Sequence, residues 1–374
     1  MNLLLWNWGR RGGGPRFTLE LAHALADRNA DGIYLSLSRQ SELFAETEAL
    51  GLPGFHVDTY SNATSALLAT ARLGELRNAM ARFVAEKKID VVLVTMRHVW
   101  GPLVMDALHG VDRRAKVVLV VHDAEPHPGD SFPFWRWCFE REFALSDHLV
   151  ALTSHVQGRL RERFGIPLEK TSVVALPAFT FPGVEGSLRR LPLDRPPRLL
   201  YFGRIKLYKG LDVLLEAVRL VQERREVELV IAGMGDIEPY REQLAKVKRL
   251  DLQNRWITED EVAAILSSCD VMVAAHKESS QSGVVPTALS AGMPVVTTPV
   301  GGLVEQVRAG ESGLVASEAT PEALADAVLR LLDDPELYAR CSAEALALAR
   351  GPFSWSAAAD ALLGIARDVV TGAA

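Results

Sequence analysis

The chain has 374 residues, more than one hydrophobic core usually fills, so two domains of about 150 to 200 residues are expected. Hydrophobic residues at 48% and charged residues at 24% exclude a disordered or fibrous chain, and a net charge of −6 argues against a nucleic-acid partner while leaving small anions to local cation clusters. Cys138, Cys269 and Cys341 stand far apart with no CxxC, which argues against a disulfide framework or a zinc site and points to a reducing compartment.

The chain opens on a short apolar run, Met1 to Trp8, followed by Arg10 and Arg11. That order and length do not make a signal peptide and read as a first strand. Similar runs recur between helical patterns at Gly32 to Leu37, Val91 to Thr95, Lys116 to Val121, Leu149 to Thr153 and Ser172 to Leu176. Nearly continuous apolar strands separated by amphipathic helices imply parallel sheets with crossover helices. The pattern restarts after the proline-rich segment Leu191 to Pro197, which reads as a linker. Strands follow at Leu199 to Phe202, Val227 to Ala232, Val271 to Ala275 and Val295 to Thr298, with helices such as Gly210 to Gln222 and Pro321 to Leu332. The last helical pattern, Ser354 to Val370, could pack on either half. The expected fold is α/β, two doubly wound Rossmann-like parallel-sheet domains facing across a cleft, with ligands beyond the carboxyl ends of the strands. No apolar stretch reaches the roughly 18 residues that span a bilayer, so membrane contact would be peripheral. The expected location is the cytoplasm, with the inner face of the membrane left open as a working place.

The most informative stretch is Tyr201-Phe202-Gly203-Arg204-Ile205-Lys206-Leu207-Tyr208-Lys209-Gly210. A strand, a tight turn and a helix N-terminus present backbone N–H groups and the positive end of a dipole. Arg204 adds a planar fork and Lys209 a mobile point charge, a combination suited to a diphosphate. On the turn alone, a solvated loop with ordinary surface cations is the alternative. After the first strand, Gly12, Gly13 and Gly14 let another molecule approach the backbone closely, or form a plain flexible turn; the spacing is not the dinucleotide fingerprint. The strand ending at Val121 runs into His122-Asp123-Ala124-Glu125-Pro126-His127-Pro128-Gly129-Asp130. No further ligand set of recognisable spacing supports a metal there. A hydrogen-bonding His122 at the strand end is the better functional reading, and a structurally satisfied histidine is the alternative. The third site runs from Asp270 through Glu278, Ser282, Gly283 and Val284 to Thr287. Amides around Ser282 to Val284 suit phosphate oxygens and Glu278 suits sugar hydroxyls, against a capped helix with a solvated glutamate. In Gly301-Gly302-Leu303-Val304-Glu305, the glutamate either faces a ligand or complements a helix dipole, the second reading being slightly the better.

Together these residues resemble the family-4 retaining glycosyltransferases of the GT-B fold, over nearly the whole chain. The resemblance implies that Arg204 and Lys209 are the phosphate-binding pair, that Gly301 and Gly302 form the Gly-Gly turn, that Gly12 to Gly14 form the glycine-rich loop and that His122 lies near the donor sugar. It also implies that the C-terminal helix crosses back to the first domain, giving domains of 1–190 with 352–374, on the acceptor side, and 191–351, on the nucleotide-sugar side. One departure stands out. The family has two glutamates separated by seven residues; Glu278 can serve as the first, but Thr287 stands where the second, ribose-binding one would be. A subset of exopolysaccharide-type transferases has a similar Gln-Ser-Gly-Val loop and a His-Asp followed by Pro-His-Pro, which implies a variant site.

The resulting expectation is transfer of a hexose from a nucleotide-sugar donor to a hydroxyl acceptor with retention, in surface polysaccharide synthesis, without a cofactor and without a metal. No two aspartates stand two positions apart, as the metal-dependent transferases of the other major fold usually require. Arg10, Arg11 and Arg16 beside Phe132-Pro133-Phe134-Trp135-Arg136-Trp137 suit a glycan or lipid-linked glycan acceptor, or else form a core aromatic cluster. A nucleotide-sugar 2-epimerase and a non-catalytic binding protein of the same fold remain as rivals.

Overall fold

A computed structural model of the chain describes residues 1–28, 32–60, 65, 69–111, 115–127, 134–179, 181, 183–184, 186–308 and 311–373, the side chains of 110 and 111 excepted. These residues divide into two compact units. The first takes in Met1–Pro126, the segment ending at Val174 and the chain from Trp355 onward; the second takes in His127 and Ala175–Ser354.

The first unit is built on a parallel sheet in the order β2-β1-β3-β4-β5-β6. Its strands are β1 (Leu3–Asn7), β2 (Ile33–Leu37), β3 (Val91–Val94), β4 (Lys116–Val121), β5 (His148–Ala151) and β6 (Thr171–Val173). Leu4, Trp6, Val92, Val94, Val117 and Leu119 share one hydrophobic cluster, while Leu3, Leu5, Val91, Leu93 and Val118 are equally buried on the opposite face. This two-sided burial is why the strands read as unbroken apolar runs. The C-terminal helix, Trp355–Thr371, packs in this unit: Arg28 bonds Asp360 and Ser356, and the Trp355 ring meets Phe17 edge-on at 5.0 Å. No helix among the described residues is long and apolar enough to cross a membrane.

The second unit has β7 (Arg198–Phe202), β8 (Glu228–Ala232), β9 (Leu250–Gln253), β10 (Val271–Ala274), β11 (Val295–Thr297) and β12 (Gly313–Val315), in the order β12-β11-β10-β7-β8-β9. Alternate residues of each central strand divide between two clusters: Leu199, Tyr201, Val271 and Val273 on one face, Leu200, Met272 and Ala274 on the other. The segment that reads as a linker is tied to this sheet by Arg195, whose guanidinium grips buried Asp270 with bonds of 2.7 and 2.9 Å. Asp270 also accepts from the Arg198 amide, so one carboxylate sets the starts of β7 and β10 side by side. β9 and β12 lie outside the strands expected from the sequence. β9 is a partly exposed edge strand with a mixed sequence, and β12 has three residues, so neither makes an apolar run.

Candidate functional site

In the second sheet the strand order reverses between β7 and β10, because β7 continues to β8 while β10 continues to β11. Connections leave a reversal point in opposite directions and open a crevice beyond the carboxyl ends of its two strands. The loop after β7 is Gly203 to Gly210, and the loop after β10 is Ala275 to Gly283. The sequence motif and the topology therefore meet at one place.

Glycines bring these loops together. Gly203 has φ +105°, and the opposing Gly233 lies so close that a Cβ on it would come within 1.9 Å of the Gly203 carbonyl oxygen. Gly210 has φ +65°, and a Cβ there would lie 1.9 Å from the Ala275 oxygen. The Lys277 amide donates to the Tyr208 oxygen at 2.7 Å, joining the two loops. A Cβ on Gly203 would sit 3.7 Å from Lys209 Nζ and 3.6 Å from Val284 Cγ1, so the bare glycine keeps open the space between that ammonium and the start of the Val284–Ser290 helix.

Charge is the distinctive property of this turn. Arg204 is exposed and Lys209 half-buried, and among the described residues neither has a carboxylate partner. Burial, and then the neighbouring Arg204, push the Lys209 ammonium down to about 8. Lys277, by contrast, is neutralised by Asp212 at 2.6 Å. Two cations forced together without a counter-ion make a site for an anion.

The second loop is held from behind. The Ser282 amide donates to Gln306 Oε1 at 2.8 Å and Gln306 Nε2 returns a bond to the Ser282 oxygen at 3.2 Å. Of the amides considered from the sequence, Ser282's is therefore committed within the protein, which leaves those of Gly283 and Val284 for a ligand. Thr287 is buried, and its hydroxyl donates to the Gly283 oxygen at 2.8 Å, one turn back in its own helix. With seven residues lying between, the position paired with Thr287 is Ser279, which is buried; Glu278 is exposed beside it. Gly301 and Gly302 support the same loop, the Gly302 amide donating to the Ser279 oxygen at 3.2 Å, while Glu305 is exposed.

The first unit has its own reversal, between β1 and β3. Gly12 and Gly13 are exposed and Gly14 is buried against Met96. Two amides of this turn are taken by side chains of the same unit: the Gly9 amide donates to Asn7 Oδ1 and the Gly12 amide to Glu42 Oε1, both at 2.7 Å. Asn7 Nδ2 donates to Thr18 Oγ1 at 2.8 Å, Thr18 donates to the Gly14 oxygen at 2.9 Å, and Thr18 meets Thr95 at 2.6 Å. His122 joins the chain through Nε2 and the Thr95 oxygen at 2.9 Å. A carbonyl can only accept, so Nε2 carries the proton. Burial keeps His122 below the usual histidine range, and its ring packs edge-on against Phe17 at 5.3 Å.

Phe132 and Pro133, like Pro128 to Asp130, lie outside the described residues. Phe134 is 82% exposed and Trp137 54% exposed, so these two aromatics do not form a core. Arg10 lies over the Tyr60 ring, 4.6 Å from its centroid, Arg11 is exposed, and Arg16 faces Glu20 at 3.7 Å. Among the described residues no three His, Cys, Asp or Glu side chains converge as a metal site.

Three groups carry no role in the sequence reading. His276, after β10, is 3% exposed and approaches Ser282 Oγ at 3.4 Å. Gln306 clamps Ser282. Arg97, beyond β3, stacks on Phe139 with its guanidinium carbon 3.5 Å from the ring centroid and pairs with buried Glu142 at 3.3 Å. Burial lowers Arg97 to about 10 and raises Glu142 to about 7. Its place as the first residue of the polar run His276 to Gln281, directly after an apolar strand, is the one signal that marks His276; Gln306 and Arg97 leave no pattern.

Comparison with known proteins agrees with this architecture. Residues 11–177 match Glycosyltransferase Family 4 and residues 196–334 match Glycosyl transferases group 1. The chain belongs to the glycosyltransferases that carry these two domains, and it is a glycosyltransferase of the GT-B fold. It is 27% identical to a D-inositol 3-phosphate glycosyltransferase of Corynebacterium glutamicum, over 97% of this chain and 93% of that protein. It is also 27% identical to an alpha-D-kanosaminyltransferase of Streptomyces kanamyceticus, over 72% and 73% of the two chains. In fold it is similar to Anabaena HepE, solved in complex with UDP-glucose, with a TM-score of 0.72 at 17% identity, covering 98% of this chain and all of that one.

Proposed function

We propose that the protein transfers a hexose from a nucleotide sugar to a hydroxyl acceptor with retention at the anomeric carbon. The observation that carries this reading is the pair Arg204 and Lys209, two cations that have no carboxylate partner among the described residues, at the strand-order reversal. Breaking the bond to a nucleoside diphosphate places negative charge on the departing phosphate, and preorganised cations stabilise it most where charge is growing. Gly203 lets the diphosphate approach the backbone, and the amides of Gly283 and Val284, with the Ser282 hydroxyl, take phosphate oxygens. Glu278 and His122 orient the sugar. With the Thr287 hydroxyl returned to its own helix, ribose recognition falls to groups other than the family's second glutamate. No step requires a metal or a cofactor.

The acceptor in this reading is a glycan or lipid-linked glycan of a surface polysaccharide, met at the cytoplasmic face of a membrane. Exposed Phe134 and Trp137, with Arg11 on the same unit, support an acceptor that is part apolar and part anionic. One relative's name points to a smaller hydroxyl acceptor, an inositol phosphate, which belongs in the same acceptor trial, and the other's names a kanosaminyl group as the sugar moved, which belongs among the donors.

The test starts from a thermal-shift screen of UDP-, GDP-, ADP- and dTDP-sugars, in which a ligand at about 100 times its dissociation constant stabilises by about 2.7 kcal/mol. The donor so found is incubated with acceptors and the product's anomeric configuration read by NMR. Retained configuration, in the presence of a chelator, is the expected result. Inversion, or activity lost to the chelator and restored by magnesium or manganese, contradicts the mechanism. Isomerised donor without acceptor would make the protein an epimerase, and absence of any transfer would make it a binding protein.

A further inference from the structure

His276, in the loop after β10, lies within the field of Lys209 and 6.4 Å from the Tyr208 ring between centroids, and no feature of the proposed mechanism uses it. Its ring is 3% exposed, and its carbonyl is fixed by the Thr298 hydroxyl at 2.5 Å. Nε2 lies 3.4 Å from Ser282 Oγ, at the long end of hydrogen-bonding range, and no protein group bonds the buried Nδ1. Buried polar atoms are nearly always bonded, so an imidazole with one weak bond and one orphan nitrogen calls for an explanation. The groups that face it are Lys209 and Tyr208 from the first loop, His127, whose ring stacks on Tyr208 at 4.3 Å, and the hydroxyls of Ser282 and Thr298. Among the groups known to face it there is no carboxylate. Of the acidic residues nearby, Glu278 is exposed on its own loop and Asp212 is taken by Lys277.

We propose that His276 is a third cationic member of the diphosphate site: it takes up one proton from solvent as a nucleotide sugar docks against Arg204 and Lys209, and as an imidazolium it holds the Ser282 loop while charge grows on the leaving group. This rests on the diphosphate reading above. In the free protein, burial first, then Lys209 and His127, keep His276 well below the usual histidine range, so the ring is neutral near pH 7. A docked diphosphate offsets the charge of Lys209 and reverses that repulsion. Lys209 itself, at about 8, is already charged at pH 6.5 and takes up little there.

The test is isothermal titration of the full chain with UDP-glucose, GDP-mannose and ADP-glucose at pH 6.5, in buffers of low and high ionisation enthalpy. Nucleotide sugars carry only diester phosphates, which do not titrate in this range, so the proton count belongs to the protein. Expected are net proton uptake on binding and an affinity that strengthens by up to about tenfold per unit fall in pH between the free and bound values. Uptake vanishes in His276→Gln and persists in His127→Gln. Binding without uptake, uptake that survives His276→Gln, or uptake lost in His127→Gln overturns the proposal. Should His276→Gln fail to fold, the wild-type count and the His276→Asn variant decide on the same terms. If none of the three nucleotide sugars binds, the diphosphate reading falls and this proposal with it.

Discussion

Two glycine-bearing turns occupy equivalent places, one after β1 and one after β7, each at the reversal of its sheet. They differ in what they leave unsatisfied. Asn7, Thr18 and Glu42 close the first around its own amides and carbonyls, whereas the second brings Arg204 and Lys209 together with no carboxylate between them. A strand-order reversal makes room for a ligand in both units, and the unpaired charge distinguishes the one that asks for an anion.

The contrast can be broken most severely at the glycines. Gly210→Ala places a Cβ within 1.9 Å of the Ala275 oxygen at φ +65° and should destabilise the protein by more than the roughly 1–3 kcal/mol of left-handed strain alone. Gly12→Ala, at φ +83° with nothing within 4 Å, should cost the strain only, and urea melts of the two compare them directly. Next is Arg204→Ala. Because the side chain is exposed, folding should be unchanged while turnover falls by about 10²–10³.

Lys209→Met sharpens the comparison through pH. Lys209 is held at about 8, below the ordinary lysine range, so the native state resists its charge and wild-type stability rises as pH climbs from about 8 toward the unfolded value. Removing the charge should leave the melting temperature at pH 7 equal or higher while weakening donor binding by at least about tenfold. Donor affinity of the wild type should weaken above about pH 8 as the ammonium is lost. The smallest effect is expected in the first unit, where Asn7→Ala leaves the Gly9 amide and the Thr18 hydroxyl short of a partner. A loss of about 1–3 kcal/mol in a urea melt is the expected outcome.

Much of this contrast is legible in the amino-acid sequence. The central strands are buried on both faces and announced themselves as apolar runs; β9 and β12, partly exposed or very short, did not. Gly203, Arg204, Lys209 and Gly210 were readable because a strand, a turn and a helix start follow one another within ten residues. What stayed hidden depends on partners distant in sequence. Lys209 is indistinguishable from a surface lysine until its burial is known, and Ser282 gives no sign that Gln306, 24 residues on, holds its amide. The polar chain from Asn7 to His122 is invisible for the same reason, since Thr18 and Thr95 lie 77 residues apart.

The most direct measurement is calorimetric titration of the nucleotide sugar found by the thermal-shift screen into wild type, Lys209→Met and Asn7→Ala at pH 7. The account predicts that Asn7→Ala binds as the wild type does, while Lys209→Met loses at least about tenfold in affinity, or 1.4 kcal/mol. Equal binding by Lys209→Met and the wild type would contradict it.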